Sequence, residues 1–181
     1  MARIAIIDRA DMNAEQARVY DSAKQSGGPV GGPYYAYIRL PKLFDAAQNL
    51  RGCLSSGPLS RREQQIANLV IARHWGARYP WFAQARASLA VGIDQAVIDA
   101  INARKTPELA DAREQTCYAV VGELLANKGL SDATYAAAEK TLGLPDLVAL
   151  VATTGSFSMT CVTANTFQIA PPVDNPTPLA E

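Results

Sequence analysis

The sequence predicts an all-α, single-domain protein, and three observations carry that prediction. Apolar residues recur at three- and four-residue spacing in almost every stretch long enough to form an element. Those stretches open on Asn, Ser or Thr and close near Gly or Pro, which is helix punctuation. No stretch alternates apolar and polar residues long enough to make a strand. With 49% hydrophobic and 19% charged residues in 181 positions, one buried core is well supplied.

Taken in order, residues 1–12 form a short extended lead-in. Asn13 followed by Gln16 is an Asx version of a capping box, and Ala17, Val19, Tyr20 and Ala23 give a first helix ending near Ser26. Gly27-Gly28-Pro29-Val30-Gly31-Gly32-Pro33 is a loop, because glycine and proline at this density prevent any regular element. It lacks the preceding strand and the Gly-Lys-Ser/Thr ending of a phosphate-binding loop. Tyr34, Tyr35, Tyr37 and Arg39 follow, before a helix from about Pro41 to Ser56. Two readings of the tyrosines stand: they cover a hydrophobic face with hydroxyls at the surface, or at least one hydroxyl meets a ligand.

Residues 59–92, LSRREQQIANLVIARHWGARYPWFAQARASLAVG, read as two helices joined by a tight corner at Trp75-Gly76-Ala77. Ser60 and Glu63 form a capping box, Ile66, Leu69, Val70 and Arg73 mark one face, and Gly76 ends the helix. Pro80 falls in the first turn of the second helix, where its missing amide hydrogen costs little.

Downstream, Gly92 and Asp94 lead into a short helix to about Arg104. Thr106 as cap and Pro107 at the first position predict the next, from about Glu108 to Lys128. Gly129 ends it, Ser131 caps another running to Leu142, and Pro145 opens the last, from Asp146 to about Phe167. That helix is apolar around most of its circumference, as a central or partner-covered helix is. The tail, residues 170–181, is proline-rich and expected to be extended or loose, with the reach to wrap a neighbouring subunit.

The string ARHWGARYPWFAQA resembles the signature of the carboxymuconolactone decarboxylase family, whose superfamily also holds the AhpD-like alkylhydroperoxidases. The resemblance spans roughly residues 10–170 and implies an AhpD-like multi-helix bundle over 13–169, assembled as a trimer or hexamer. It sets the family's acid of the first helix on Gln65, the acid after the tyrosine on Pro80 and the histidine on Gln84. The two thiols of the peroxidase branch fall on Ala77 and Pro80, so the Cys-x-x-Cys pair of a peroxidase is missing. Tyr79 and Trp81 keep the family pattern as an aromatic wall, and Asn165 in TCVTANTF matches another family position. The tyrosine loop that holds Tyr35 and Tyr37 lies near the pocket in that family.

Seventeen basic and seventeen acidic residues cancel, which gives no electrostatic case for nucleic acid or an anionic membrane. The apolar runs read as too short or interrupted to cross a bilayer, and a cytoplasmic protein with a small-molecule substrate is expected. Cys53, Cys117 and Cys161 are too far apart for a local redox pair or zinc knuckle, and neither metal nor cofactor is expected. His74, the single histidine, is either a packing group at a helix end or a proton-exchanging pocket residue.

The candidate catalytic residues are therefore Gln84, Gln65, His74 and Tyr79, with Tyr35, Tyr37, Trp81 and Asn165 as substrate contacts. Glutamine amides can hydrogen-bond a carboxylate or a developing enolate without shuttling protons. The resemblance implies a cofactor-independent lyase acting on a small cyclic or aromatic-derived carboxylated compound. Two alternatives stay open: an isomerase, hydrolase or cyclase using the same pocket, and a non-catalytic helical oligomer that binds a small molecule or protein.

Overall fold

In the computed structural model, which describes residues 2–181, a 3-10 turn at Arg9–Asp11 precedes nine helices, and the described residues include no strand. The helices are α1 (Ala14–Gln25), α2 (Tyr34–Tyr37), α3 (Pro41–Ser55), α4 (Arg61–His74), α5 (Arg78–Ala90), α6 (Gln95–Asn102), α7 (Ala112–Asn127), α8 (Asp132–Leu142) and α9 (Leu144–Thr166). The chain packs around α4, which touches α5, α6, α7 and α9.

Helix α4 starts where its sequence requires. Ser60 Oγ accepts the Glu63 amide at 3.2 Å and Glu63 Oε2 accepts the Ser60 amide at 2.6 Å, so two amides left over by the first turn are satisfied reciprocally. Asn13 and Gln16 do the same for α1. Beyond the cap, Ile66, Ala67, Leu69, Ile71 and Ala72 are wholly buried against Trp81, Ile98, Val120, Val121 and Leu150. Each large aliphatic side chain removed from water in this way contributes about 1.5–3 kcal/mol. A second, smaller cluster joins α1, α2 and α3 through Val19, Tyr34, Tyr37, Ile38 and Phe44, with Tyr34 edge-on to both Tyr37 and Phe44. Contact of α3 with α9 joins the two clusters.

Charge fixes the way the helices meet. Arg113 on α7 donates to Glu63 Oε1 on α4 at 2.6 Å and to Asp146 Oδ2 on α9 at 2.5 Å, while Arg62 Nε donates to Glu114 Oε1 at 2.5 Å. Arg113 sits there because Asp111 accepts the amides of Arg113 and Glu114 at 2.7 and 3.1 Å and starts α7. The helix expected from 108 with Thr106 as its cap therefore begins at Ala112: aspartate is the stronger cap, and it satisfies two amides at once.

Three further expectations change. Residues 34–37 form one helical turn inside the tyrosine segment. The proline-rich tail is strapped to its own chain: Trp81 Nε1 donates to Thr177 O at 3.0 Å, Asn102 pairs with Pro178 O and the Ala180 amide, and Arg73 Nη1 donates to Ala180 O. Helix α9 has 23 residues and an 18-residue stretch of mean hydropathy 1.6, long and apolar enough by length and composition to cross a membrane. One of its faces is nonetheless buried through Leu147, Leu150, Cys161 and Ala164, against five other helices.

Replacing Arg113 by Met should destabilise the fold by about 2–3 kcal/mol. It leaves the buried Glu63 carboxylate unpaired, and the partial exposure of the guanidinium keeps the loss below that of a fully enclosed pair. Urea denaturation of the variant beside wild type measures it, with the midpoint moving and the slope unchanged.

Candidate functional site

A cavity of about 450 Å³ lies at the seam between the two apolar clusters, enclosed by α2, α3, α4, α5 and α9. On α4, residues 61, 65 and 68 follow one another at four- and three-residue spacing and so share a face. That face carries Arg61, Gln65 and Asn68 into the cavity wall. The corner at Gly76, whose φ of +58° suits glycine, turns the chain back so that α5 presents Gln84 opposite them.

Asn68 Nδ2 donates to Gln84 Oε1 at 3.3 Å. In this arrangement the Gln84 NH₂ is free to donate, and the Asn68 oxygen is unused. Both Asn68 Oδ1 and Gln65 Oε1 are buried and have no hydrogen-bond partner. Gln64, also in the wall, is held differently, with Nε2 donating to Leu59 O at 2.8 Å.

Tyr79 is placed by the glycine-rich loop. A methyl group added to Gly32 would stand 2.1 Å from Tyr79 Cε1, and one on Gly31 would be 3.5 Å from its hydroxyl. The loop is thus moulded to the ring, and Gly32, at φ +62°, adopts a backbone form that side chains resist. Burial, and then the neighbouring Tyr35, push the Tyr79 phenol above its ordinary pKa, so it holds its proton. Tyr37 also lines the cavity, and its hydroxyl lies 3.2 Å from Thr163 Oγ1. Arg51 and Arg61 are exposed members of the wall, and neither pairs with a carboxylate among the described residues. The described lining includes no Asp, Glu, His, Lys or Cys.

Of the residues singled out in the sequence, Gln65, Gln84, Tyr79 and Tyr37 are brought together in this wall. Four are not. His74 is exposed in a separate cleft with Arg73, Arg104 and Tyr118, where burial and then Arg104 lower its pKa. Trp81 is completely buried in the core and its indole holds the tail, so it forms no cavity wall. Asn165 Nδ2 donates to Trp75 O at 2.7 Å and closes the end of α4. Tyr35 stands behind the wall, its hydroxyl beside Gly31. Asn68, Arg51 and Arg61 were missed, although the 61, 65, 68 spacing marked two of them.

Cys117 and Cys161 are buried, and burial pushes both thiols up to about 12. Cys53 is exposed, and no cysteine is in the wall. Among the described residues no three of His, Cys, Asp and Glu converge as metal ligands.

Comparison with family models and with curated proteins gives no match. Solved structures do match. An uncharacterized peroxidase-related protein from Ralstonia eutropha JMP134, described as an alkylhydroperoxidase AhpD core, superposes with a TM-score of 0.76 at 16% identity, over 96% of this chain and 93% of that one. An uncharacterized peroxidase-related protein from Silicibacter sp. TM1040 gives 0.77 at 19% identity over the same shares. The fold is therefore AhpD-like, and at these identities the likeness is one of fold.

Two measurements check this geometry. Gly32→Ala should cost at least about 2 kcal/mol and displace the Tyr79 ring in a crystal structure of the variant, since it combines a left-handed backbone with overlap. In native protein iodoacetamide should modify Cys53 alone, with Cys117 and Cys161 reacting only after unfolding, as mass spectrometry of the digested protein will show.

Proposed function

We propose that the cavity binds a small cyclic or aromatic-derived organic anion and acts on it as a cofactor-independent, decarboxylase-like lyase through enolate stabilisation. The observation that carries this reading is the charge of the wall. Its formal charges are Arg51 and Arg61, and behind them stand amides and phenols with no carboxylate or imidazole among the described lining. Unpaired arginines at an opening draw in anions and orient a carboxylate by paired hydrogen bonds.

The same inventory favours one reaction over its neighbours. Isomerisation and hydrolysis need a base to take a proton from carbon or water, and the described lining includes no carboxylate, imidazole, amine or thiol to serve as one. Decarboxylation needs no base. The bond between the ring carbon and the carboxylate breaks, carbon dioxide leaves, and the electron pair stays as an enolate on the adjacent carbonyl. The free NH₂ of Gln84 is directed to donate to that enolate oxygen, held in place by Asn68. Tyr79, kept protonated by its burial, gives its proton to the carbon and regains one from water. Gln65 adds polar contact from α4, and Tyr37 packs the ligand from α2.

Peroxide reduction has little support beside this, because two thiols are buried with raised pKa and the third lies outside the cavity. We also propose a homo-oligomer, trimer or hexamer, in which the exposed apolar residues Val148, Val151, Met159 and Val162 of α9 meet another copy. Analytical ultracentrifugation at several concentrations tests it.

The activity is tested by carbon dioxide release and ultraviolet change on a panel of carboxylated lactones and cyclic keto acids. Gln84→Ala should lower kcat by about 10²–10³-fold, the usual loss for one donor to a developing oxyanion. Tyr79→Phe should lower kcat with little change in KM. Because protonated Tyr79 is the active form and its pKa is raised, wild-type kcat should stay level through neutral pH. It should fall only in strongly alkaline solution. If ligands bind to the folded protein and none releases carbon dioxide, the site is a binding site alone.

A further inference from the structure

Three phenols line the cavity, and two of them carry hydroxyls that bond to no described residue. Tyr37 is the exception, paired with Thr163 Oγ1. Tyr79 is the proton donor of the proposed reaction, and Tyr34 is left over. Tyr34 is only 7% exposed, and its ring is held edge-on to Tyr37 at 5.3 Å and to Phe44 at 5.4 Å. A ring held by two others carries its hydroxyl to a fixed place. That hydroxyl is not sealed in protein as Gln65 Oε1 and Asn68 Oδ1 are, so it opens on the cavity that Tyr34 lines. A buried phenol usually finds a partner, and here the place for one is in the cavity.

A cation stands with it. Ala47, Leu50, Arg51 and Leu54 follow one another at three- and four-residue spacing, which sets Arg51 on the cavity face of α3 among apolar neighbours. Burial raises the pKa of the Tyr34 phenol and Arg51 lowers it by less, so the phenol keeps its proton and can donate it to a hydrogen bond. The neighbour acting on Tyr79 is Tyr35, and Arg61 is not among the groups acting on either phenol.

We propose that Tyr34 and Arg51 form the subsite for the anionic group of the ligand, the phenol and the guanidinium both donating hydrogen bonds to its carboxylate. This rests on the reading of the cavity as a site for an organic anion, and it assigns that anion to α2 and α3, while Gln84 and Tyr79 meet the rest of the ligand from α5. An ionised carboxylate only accepts, and both side chains bring hydrogens to it. A neutral derivative of the same shape keeps the ring and loses the charge, so the pair separates acids from their amides. Arg61, at the start of α4, adds to the field at the opening without holding the group.

Isothermal titration with cyclohexanecarboxylate and its neutral analogue cyclohexanecarboxamide tests the inference. Wild type should bind the acid at least about tenfold more tightly than the amide. Tyr34→Phe should weaken the acid by about tenfold, the loss of one hydrogen bond to a charged group, and the amide by much less. Its thermal midpoint should stay level or rise, and a fall would mark the hydroxyl as serving the fold and overturn the proposal. Arg51→Gln should remove most of the acid's advantage, and Arg61→Gln a smaller part. An advantage that survives Tyr34→Phe unchanged, or that goes with Arg61 rather than Arg51, overturns this subsite and leaves the anion reading standing. Acid and amide bound alike by wild type, or neither bound, overturn the anion reading and the subsite with it. Arg51 is exposed and the Tyr34 hydroxyl has no protein partner among the described residues, so neither substitution removes a bond that the fold uses.

Discussion

The geometry of this molecule depends on one carboxylate. Glu63 gives one oxygen to the amide of Ser60 and the other to Arg113, and Arg113 also holds Asp146. The first contact starts α4, the second sets the rotation of α4 against α7, and the third brings in the first turn of α9. Buried charge is an expensive way to join helices when apolar packing would serve. What it supplies is direction. Apolar contacts tolerate sliding and rotation, whereas a guanidinium shared by two carboxylates fits one arrangement of three helices. Gln65 and Asn68 lie two and five residues beyond Glu63, so the clamp that fixes α4 also fixes where the cavity amides point.

Helix α4 serves three environments at once, and its sequence divides accordingly. Ile66, Ala67, Leu69 and Ile71 go to the core, Arg61, Gln65 and Asn68 to the cavity, and Arg73 to the tail. A helix can do this because each residue advances by about 100°. The N-terminal cluster completes the cavity from the other side. Tyr34 and Tyr37, three residues apart on one turn, both face inward, and the Gly31-Gly32 loop is shaped to the Tyr79 ring.

The same arithmetic shows how much was legible in the sequence. The caps at Asn13, Ser60 and Ser131 and the corner at Gly76 are local, and each is found where local chemistry puts it. The misplaced site residues failed a test that the sequence itself offered. His74 is nine residues from Gln65, which on a helix is half a turn in excess of whole turns, so both cannot face one cavity. Trp81 is two residues from Tyr79, about 200° away, and a tyrosine facing the cavity sends that tryptophan to the core. Motif adjacency suggested a shared wall, and helical phase forbade it. The start of α7 and the path of the tail were harder to read. The first turned on Asp111 competing with Thr106, and the second on contacts between residues about a hundred positions apart.

An AhpD-like frame does not by itself say what chemistry it carries; here two of the three cysteines are buried and none is in the described cavity lining. The described cavity lining consists of amides, phenols, hydroxyls, apolar groups and rim arginines, without Asp, Glu, His, Lys or Cys. What such a wall offers a ligand is fixed dipoles set before it arrives, which cost no reorganisation when charge develops. Such dipoles must be held, and the hold is visible: Asn68 orients Gln84, the loop glycines seat Tyr79, and the Glu63 clamp sets α4. A reaction that releases its own electron pair suits that wall better than one that must first remove a proton.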